Sequence, residues 1–303
     1  MALTERTFWI DGRTVPATDV TVHLLSQSLQ RGSLVFDVFG VEQLPSGPHG
    51  LGAREHTERF LRSLELMGMP APYGFDELFA VARDMAHLNP GCDTVRFNAY
   101  WDVPSIDVLP NQSQPAIAVA AYSIDDLHPG LGPGTPPPGR ITIPGVRKLP
   151  PEVIPVQAKV AAAYAHTGPA KARARAAGFH DLVLVDADGC LTESGNMSFF
   201  VVVDGLVRTA GLDQVLDGIT RRVVLDIAAH EGIHVSVGPL APAVLDDADE
   251  VFMASTSRHV WAIGQVDSRS FEAPGPITAR LQERFLRLLS GKDELSARWL
   301  QPL

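Results

Sequence analysis

The sequence predicts a two-domain protein of the α+β or α/β class, with a small N-terminal α/β domain and a larger, β-rich C-terminal domain. First, its 303 residues reach the size at which a single hydrophobic core usually stops growing. Second, strand-like and helix-like patterns of apolar residues follow one another in both halves. Third, residues 123–139 interrupt these patterns with a run rich in proline and glycine, which predicts a semi-rigid linker. The expected domains are therefore residues 1–122 and 140–303.

In the first half, residues 7–10 favour β-structure and precede an Asp-Gly pair, which predicts a strand that ends in a hairpin turn. Apolar residues recur at helical spacing across residues 54–67 and 75–88, which predicts two amphipathic helices. The other expected elements are a short helical turn within residues 23–30 and strands at residues 32–39, 95–101 and 116–122.

The second half combines strand patterns, Asp-Gly turns and three helical patterns. The expected strands are residues 140–146, 181–185, 198–203, 206–209 and 251–254. The expected helices are residues 170–177, 219–231 and 277–289. The last of the strands leads into a polar loop, so this half is expected to be a sheet with helices beside it.

The composition excludes several classes of protein. A net charge of −10 argues against a general nucleic-acid-binding protein, because such proteins carry a basic face. Cys92 and Cys190 lie far apart, which predicts reduced thiols in a cytoplasmic protein, and no Cys or His pattern has the spacing of a zinc site. We find neither a signal-peptide pattern nor an apolar stretch long enough to span a bilayer. We therefore expect no nucleic acid, metal or membrane partner.

Lys159 is the one charged residue in the largely apolar run 156–164. Lysine is seldom buried without a partner. An amine that is withdrawn from water is more easily neutral, and the neutral amine is a nucleophile or a base. A carbonyl cofactor bound there as a Schiff base would explain a buried lysine. The alternative is a lysine whose stem lies along the surface while its ammonium reaches water.

Three other segments have the donors that a phosphate requires. Gly218 precedes a helix start at Ile219-Thr220, where backbone N–H groups are free. Ser255-Thr256 follows a strand and offers hydroxyl and amide donors. Arg59, on the first helix, has the fork geometry that suits phosphate. Each segment has an ordinary alternative, namely a capped helix, a polar turn and a solvated charge.

Glu193 lies among small residues just before an apolar strand pattern. A buried carboxylate needs a partner, and a protonated ring nitrogen would supply one. The alternative is a partly exposed glutamate in a turn.

The order of these features resembles the fold-type IV pyridoxal-phosphate enzymes, the group of branched-chain aminotransferases, D-amino-acid transaminases and aminodeoxychorismate lyases. The resemblance extends from residues 9–12 to the C-terminal helix and rests on the succession of Arg59, Lys159 with Tyr164, Thr192-Glu193 with Phe199-Phe200, Leu216–Arg221 and Phe252–Thr256. It implies a pyridoxal 5′-phosphate cofactor and a homodimer.

The resemblance also implies a role for each matching residue. Lys159 would be the Schiff-base lysine and would move a proton between Cα and C4′. Tyr164 would bind the phenolic oxygen of the cofactor, and Glu193 would pair with its pyridine nitrogen. The implied phosphate contacts are Arg59, Ile219 through its backbone N–H, Thr220, Ser255 and Thr256.

On the substrate side, Phe36 resembles the family's aromatic residue, and Arg96 lies on a strand that contributes to the substrate pocket in branched-chain enzymes. We hypothesise that Arg258 reaches a substrate carboxylate, with a solvated loop arginine as the alternative. The chain has Ser198 where the family usually has asparagine, so a hydrogen bond near the cofactor is expected to be lost or bridged by water.

The resemblance implies a transaminase that moves the amino group of an apolar, branched-chain-like amino acid to 2-oxoglutarate. Residues 100–105 lack the Arg and His with which D-amino-acid transaminases bind a carboxylate. An aminodeoxychorismate lyase, an (R)-amine or D-amino-acid transaminase, and a non-catalytic cofactor-binding protein remain as alternatives. A nicotinamide dehydrogenase is disfavoured, because no Gly-x-Gly-x-x-Gly follows a strand pattern.

Overall fold

The structure, a computed structural model, describes residues 2–108, 110, 114–128 and 134–303. The chain forms two compact units. The first comprises Met1–Pro133, Ala158–Ala162 and Leu289–Leu303, and the second comprises Gly134–Gln157 and Ala163–Leu288. The sequence places residues 158–162 and 289–303 in the second domain, whereas the structure groups them with the first unit. Residues 129–133 of the expected linker lie outside the described residues.

The helices are α1 (Gln27–Arg31), α2 (Ala53–Leu66), α3 (Phe75–Leu88), α4 (Ile124–Leu127), α5 (Ala162–Ala165), α6 (Gly168–Ala176), α7 (Ile219–His230), α8 (Pro276–Leu289) and α9 (Ser296–Trp299). The strands are β1 (Thr7–Ile10), β2 (Arg13–Pro16), β3 (Val35–Leu44), β4 (Gly47–Leu51), β5 (Thr94–Tyr100), β6 (Ala116–Tyr122), β7 (Gly139–Thr142), β8 (Asp181–Leu182), β9 (Ser198–Val203), β10 (Leu206–Thr209), β11 (Val235–Val237), β12 (Glu250–Ser255), β13 (His259–Val266), β14 (Arg269–Ser270) and β15 (Leu300–Pro302).

The described residues of the first unit contain a seven-stranded antiparallel sheet in the order β15-β4-β3-β5-β6-β1-β2. Along β3 the side chains alternate, so that Val35, Asp37 and Phe39 are buried while Phe36 and Val38 are partly exposed. The helices α2 and α3 pack against this sheet. A charged residue, Asp37, therefore points to the buried side of the strand.

Aromatic side chains form the centre of this first core. The ring of Phe97 lies 5.3 Å from that of Phe60 on α2 and 6.0 Å from that of Phe39 on β3. All three side chains are fully buried. Their packing fixes α2 on the sheet, and with it the side chains that α2 carries next to Phe60.

The described residues of the second unit contain an eight-stranded mixed sheet, in which seven strands follow the order β11-β10-β9-β12-β13-β7-β8 and β14 pairs with β13. The strands β9, β12 and β13 are antiparallel neighbours, and both faces of β12 are covered. On the face that packs on α7, Phe200 and Phe252 stack with ring centroids 4.6 Å apart. On the other face, Val201, Met253 and Trp261 belong to one buried cluster.

The predicted α+β class is confirmed, and most predicted elements are present with small shifts at their ends. The strand β7 ends at Thr142 rather than at residue 146, because Pro144 has no N–H with which to continue the ladder. The helix α4 lies within the expected linker, where the Ser123 hydroxyl accepts the N–H of Asp125 (3.3 Å) and caps the helix start.

The strand β13 is absent from the prediction, which has only a polar loop after residue 254. Five successive residues of β13, starting at His259, are buried. A strand that is covered on both faces shows no alternation of polar and apolar residues, so the pattern on which strand prediction depends is missing.

No helix in the described ranges is both long and apolar enough to cross a bilayer.

We predict that Phe60→Ala lowers the free energy of unfolding by about 3–5 kcal/mol, because it opens a cavity in the first core. The matched variant is Phe79→Ala on α3, whose ring is partly exposed and stacks on Phe75 at 5.8 Å. We expect a loss of about 1 kcal/mol there. Chemical denaturation of both variants measures the difference, and equal losses would contradict a core centred on Phe60.

Candidate active site

Lys159 lies on a short segment that runs beside β3 in the first unit. The N–H of Phe36 donates to the C=O of Lys159 (3.0 Å), and the N–H of Ala161 donates to the C=O of Leu34 (2.8 Å). The N–H of Lys159 donates to Oγ of Ser63 on α2 (3.0 Å). The Lys159 side chain is partly buried, and its Nζ lies 4.9 Å from the centroid of the Phe36 ring. The backbone is thus held on both sides, and the amine faces an aromatic ring, which attracts a cation.

Phe36 brings Lys159 and Arg96 to the same face of the first sheet. The guanidinium carbon of Arg96 lies 4.5 Å from the centroid of the Phe36 ring. Nε of Arg96 donates to Oδ1 of Asn98, which lies opposite Phe36 in the strand register (3.0 Å). The predicted lysine and two of the three predicted substrate residues are therefore neighbours in the first unit.

Arg59 is buried and paired, so its interpretation as a solvated charge is wrong. Its Nε donates to Oδ2 of Asp37 and its Nη2 donates to Oδ1, both at 2.8 Å. Nδ1 of His56 lies 2.6 Å from the same Oδ1. All three side chains are nearly inaccessible to solvent. Because one edge of the guanidinium is bound in this bidentate way, its orientation is fixed before any ligand arrives.

The charges of this group follow from its burial. Burial alone would raise the pKa of Asp37, but Arg59 and His56 together outweigh it and hold the pKa below its ordinary value. Burial lowers the pKa of His56 to about 4, against the attraction of Asp37. His56 is therefore neutral near pH 7, and Asp37 and Arg59 form the ion pair.

The sequence reasoning missed Asp37 and His56. An acidic residue at a buried position of the β3 alternation, and a histidine three residues before Arg59 on the same helix face, are the signals that point to them.

In the second unit, Glu193 is largely buried and has two donors on one oxygen. Nζ of Lys148 forms an ion pair with Oε1 of Glu193. The backbone N–H of Leu216 donates to the same Oε1 (3.1 Å). Within the described residues, Oε2 receives no hydrogen bond, so it is the oxygen available to a ligand. Lys148 is a third residue that the sequence reasoning missed, and its local pattern contains no signal for it.

The start of α7 has backbone N–H groups that no side chain caps. Its first residues, Ile219 and Thr220, are buried, and no side chain caps the helix. Oε1 of Gln157 accepts the N–H of Asp217 (3.0 Å) and so fixes the turn just before the helix. A Cβ at Gly218 would lie 3.0 Å from Oγ of Ser198, which makes this approach tight for any larger residue. The capped-helix alternative is therefore wrong.

Ser198 also connects this helix start to the end of β12. It pairs with Ala254 in the sheet, one residue before Ser255. Oγ of Ser255 is buried and has no hydrogen-bond partner among the described residues. After the turn at Thr256, the chain returns at His259, which pairs with Ser255 and has a φ of 52°.

These donors fit an anion with several oxygens. A buried hydroxyl and a buried helix start, for which the described residues supply no acceptor, would both be costly if nothing bound there. Arg221 adds a buried cation in the first turn of α7, and its Nε has no partner in the described part of the chain. A phosphate group supplies acceptors to such a set of donors.

Tyr164 and Arg258, two further predicted residues, make backbone hydrogen bonds within their own turns. Tyr164 is partly buried, and its C=O accepts the N–H (3.2 Å) and Oγ1 (2.8 Å) of Thr167. Arg258 is partly buried in the turn after Thr256, where its N–H donates to the C=O of Ser255 (3.3 Å). The described residues contain no group of three or more His, Cys, Asp or Glu that could hold a metal ion.

Comparison with known proteins identifies similar chains over almost the full length. The sequence model of amino-transferase class IV matches residues 34–266. The branched-chain-amino-acid aminotransferase of Pseudomonas aeruginosa is 26% identical over 308 residues, which cover 99% of this chain and 98% of that protein. The protein of the same name from Escherichia coli K12 is 28% identical over 309 residues, which cover 96% of each chain.

A solved structure agrees with these relatives. A branched-chain aminotransferase from the thermophilic archaeon Thermoproteus uzoniensis, solved with norvaline, superposes with a TM-score of 0.90 at 29% identity. The superposition covers 98% of this chain and 99% of that one. The fold of the described residues is therefore similar to that of this branched-chain aminotransferase.

We predict that His259 makes the free energy of unfolding depend on pH. Burial lowers its pKa from 6.5 to about 4. Because the pKa of His259 is lower in the folded than in the unfolded protein, its contribution to the free energy of unfolding is complete above pH 6.5. This contribution is lost as the pH falls to 4. Across that window the wild type should lose about 3 kcal/mol more than His259→Asn, in which asparagine tolerates the positive φ. Denaturation series at several pH values test this, and parallel pH profiles would contradict it.

Proposed function

Since this chain belongs to the amino-transferase class IV family, we propose that it is a pyridoxal 5′-phosphate-dependent transaminase. It would move the amino group of an apolar, branched-chain-like amino acid to 2-oxoglutarate. The observation that carries the cofactor assignment is the set of buried donors at the start of α7 and at Ser255, which have no acceptors among the described residues. The substrate class is supported by relatives named branched-chain-amino-acid aminotransferase that match nearly the whole chain.

We propose that the residues named by the resemblance hold the cofactor. Lys159 would anchor it covalently through its aldehyde carbon, and Tyr164 and Glu193 would bind the ring oxygen and the ring nitrogen. The phosphate would be bound by Arg59, Ile219 through its N–H, Thr220, Ser255 and Thr256. When bound, pyridoxal phosphate supplies an electron-withdrawing ring that allows the Cα of an amino acid to lose its proton.

The residues of the chain would contribute position and proton transfer. Once the substrate amine has displaced it from the aldehyde carbon, Nζ of Lys159 would move the proton between Cα and C4′. The hydrogen bonds that hold its backbone keep this amine in place. The carboxylate of Glu193 would present Oε2 to the ring N–H and so favour the protonated ring. The bidentate pair with Asp37 keeps the Arg59 guanidinium in one orientation.

For the substrate, we propose that Phe36 provides apolar surface and that Arg96 and Arg258 provide guanidinium donors. A planar guanidinium binds a carboxylate through two parallel hydrogen bonds. The amino acid and the 2-oxo acid both carry a carboxylate, so the same donors can serve in both halves of the reaction.

We also propose that the protein is a cytoplasmic homodimer. The described thiols of Cys92 and Cys190 are free, which suits a reducing compartment. Five exposed apolar side chains lie on two neighbouring segments of the first unit: Leu24, Leu25, Leu29, Ile106 and Val108. The N–H of Ser105 donates to the C=O of Leu25 (3.2 Å) and joins the segments. An exposed apolar patch of this kind suits contact with a second copy.

We predict that purified protein with pyridoxal phosphate absorbs in the visible and loses this band on addition of leucine, isoleucine or valine. Lys159→Ala should lack the band, and its transfer of amino groups to 2-oxoglutarate should fall by at least about a hundredfold, because both the anchor and the base are removed. Lys292→Ala, at an exposed position, is the matched control and should behave as wild type.

The same assay separates the alternatives. Glutamate formed from 2-oxoglutarate with branched-chain amino acids supports the proposal. Pyruvate release without a 2-oxo acid acceptor would instead identify a lyase, and activity confined to D-amino acids or (R)-amines would overturn the substrate class. Full activity of Lys159→Ala would refute the cofactor assignment.

A further inference from the structure

Lys148 is the charged neighbour of Glu193. Its Nζ pairs with Oε1 of Glu193 and donates to the C=O of Gln214 (2.8 Å). Only 17% of the Lys148 side chain and 13% of the Glu193 side chain are exposed. Both partners are thus largely withdrawn from water. Removal of one member of such a buried ion pair is destabilising, because it leaves the other charge without a partner.

The backbone holds both residues in place. The N–H of Lys148 donates to the C=O of Val185 (2.8 Å). The C=O of Glu193 accepts the N–H of Leu184, the residue next to Val185 (2.9 Å). The backbones of Lys148 and Glu193 are therefore hydrogen-bonded to two adjacent residues of one segment. This holds the two side chains close to each other.

The ion pair also reaches the loop that leads into α7. Gln214 accepts from Lys148, and Leu216 donates to Oε1 of Glu193 (3.1 Å). These contacts occupy one carboxylate oxygen and leave Oε2 without a hydrogen bond from the described residues. Lys148 therefore has the position of a residue that orients the Glu193 carboxylate.

From this geometry we propose that Lys148 is a positioning residue for the cofactor, and that it acts through Glu193 by holding the carboxylate in one orientation, with Oε2 aimed at the ring nitrogen. The inference rests on the proposed function. A rotated Glu193 could not pair with the ring N–H, so loss of Lys148 should weaken binding of the cofactor itself. A purely structural ion pair would affect the stability of the unit instead.

A double-mutant cycle separates these two roles. Binding of pyridoxal phosphate to cofactor-free protein is titrated by its visible absorption for wild type, Lys148→Met, Glu193→Gln and the double variant. Lys148→Met should weaken binding about tenfold or more, as expected for a lost hydrogen bond between charged groups. In the Glu193→Gln background the same change should alter binding by no more than about threefold, because the group through which Lys148 acts is already neutral.

Two further variants sharpen the test. Lys148→Arg keeps the charge and should bind within about threefold of wild type. Lys148→Gln removes the charge and leaves an amide on a shorter side chain, and it replaces Lys148→Met in the cycle if that variant does not fold. Equal weakening in both Glu193 backgrounds, or no weakening in the wild-type background, would overturn the proposal.

Lys171→Met is the matched control, because Nζ of Lys171 pairs with buried Asp181 in the same unit (2.8 Å). It should lower the thermal unfolding temperature but leave cofactor affinity unchanged. If wild-type protein binds no pyridoxal phosphate at Lys159, the proposed function fails and this inference with it. If wild type binds and Lys148→Met binds equally well, only the inference about Lys148 fails.

Discussion

The alternation of side chains along β3 determines what each side of the first sheet can do. Phe36 and Asp37 are neighbours in sequence, yet Asp37 is fully buried and Phe36 is partly exposed. The buried carboxylate requires a counter-charge, and α2 supplies it as Arg59. On the other side, the Phe36 ring lies against Lys159 and Arg96. A shift of β3 by one residue would exchange these two environments and remove both groups at once.

The second unit contains buried hydrogen-bond donors for which the described residues supply no acceptor. The uncapped start of α7 and the Ser255 hydroxyl, which has no partner in the described part of the chain, would be unfavourable in a domain with only structural duties. Glu193 is an acceptor in the same unit: Lys148 and the N–H of Leu216 both contact its Oε1, and no described residue donates to its Oε2. Hydrogen-bond donors that suit an anion, together with a carboxylate that has one oxygen without a donor, match a ligand that carries both a phosphate and a basic ring nitrogen.

The sequence predicted the fold class and most elements, because their patterns are local. The strand β9, for example, has the bounds that its apolar run predicts. β13 escaped prediction because burial on both faces removes the alternation of a strand. In the site, the helix start before Ile219 could be predicted from a glycine and a helical pattern. The ion pair of Lys148 with Glu193 could not, because it joins residues 45 positions apart through folding alone.

The path of the chain around Lys159 limits how this fold can be divided. Residues 158–162 belong to the first unit, although the residues on both sides of them belong to the second. Cutting the gene between residues 133 and 134 would therefore leave Lys159 on the fragment that lacks β3, the strand to which its backbone is bound. The two units cannot be exchanged between related proteins as independent modules, and recombination within this family is expected to preserve the pairing of β3 with the lysine segment.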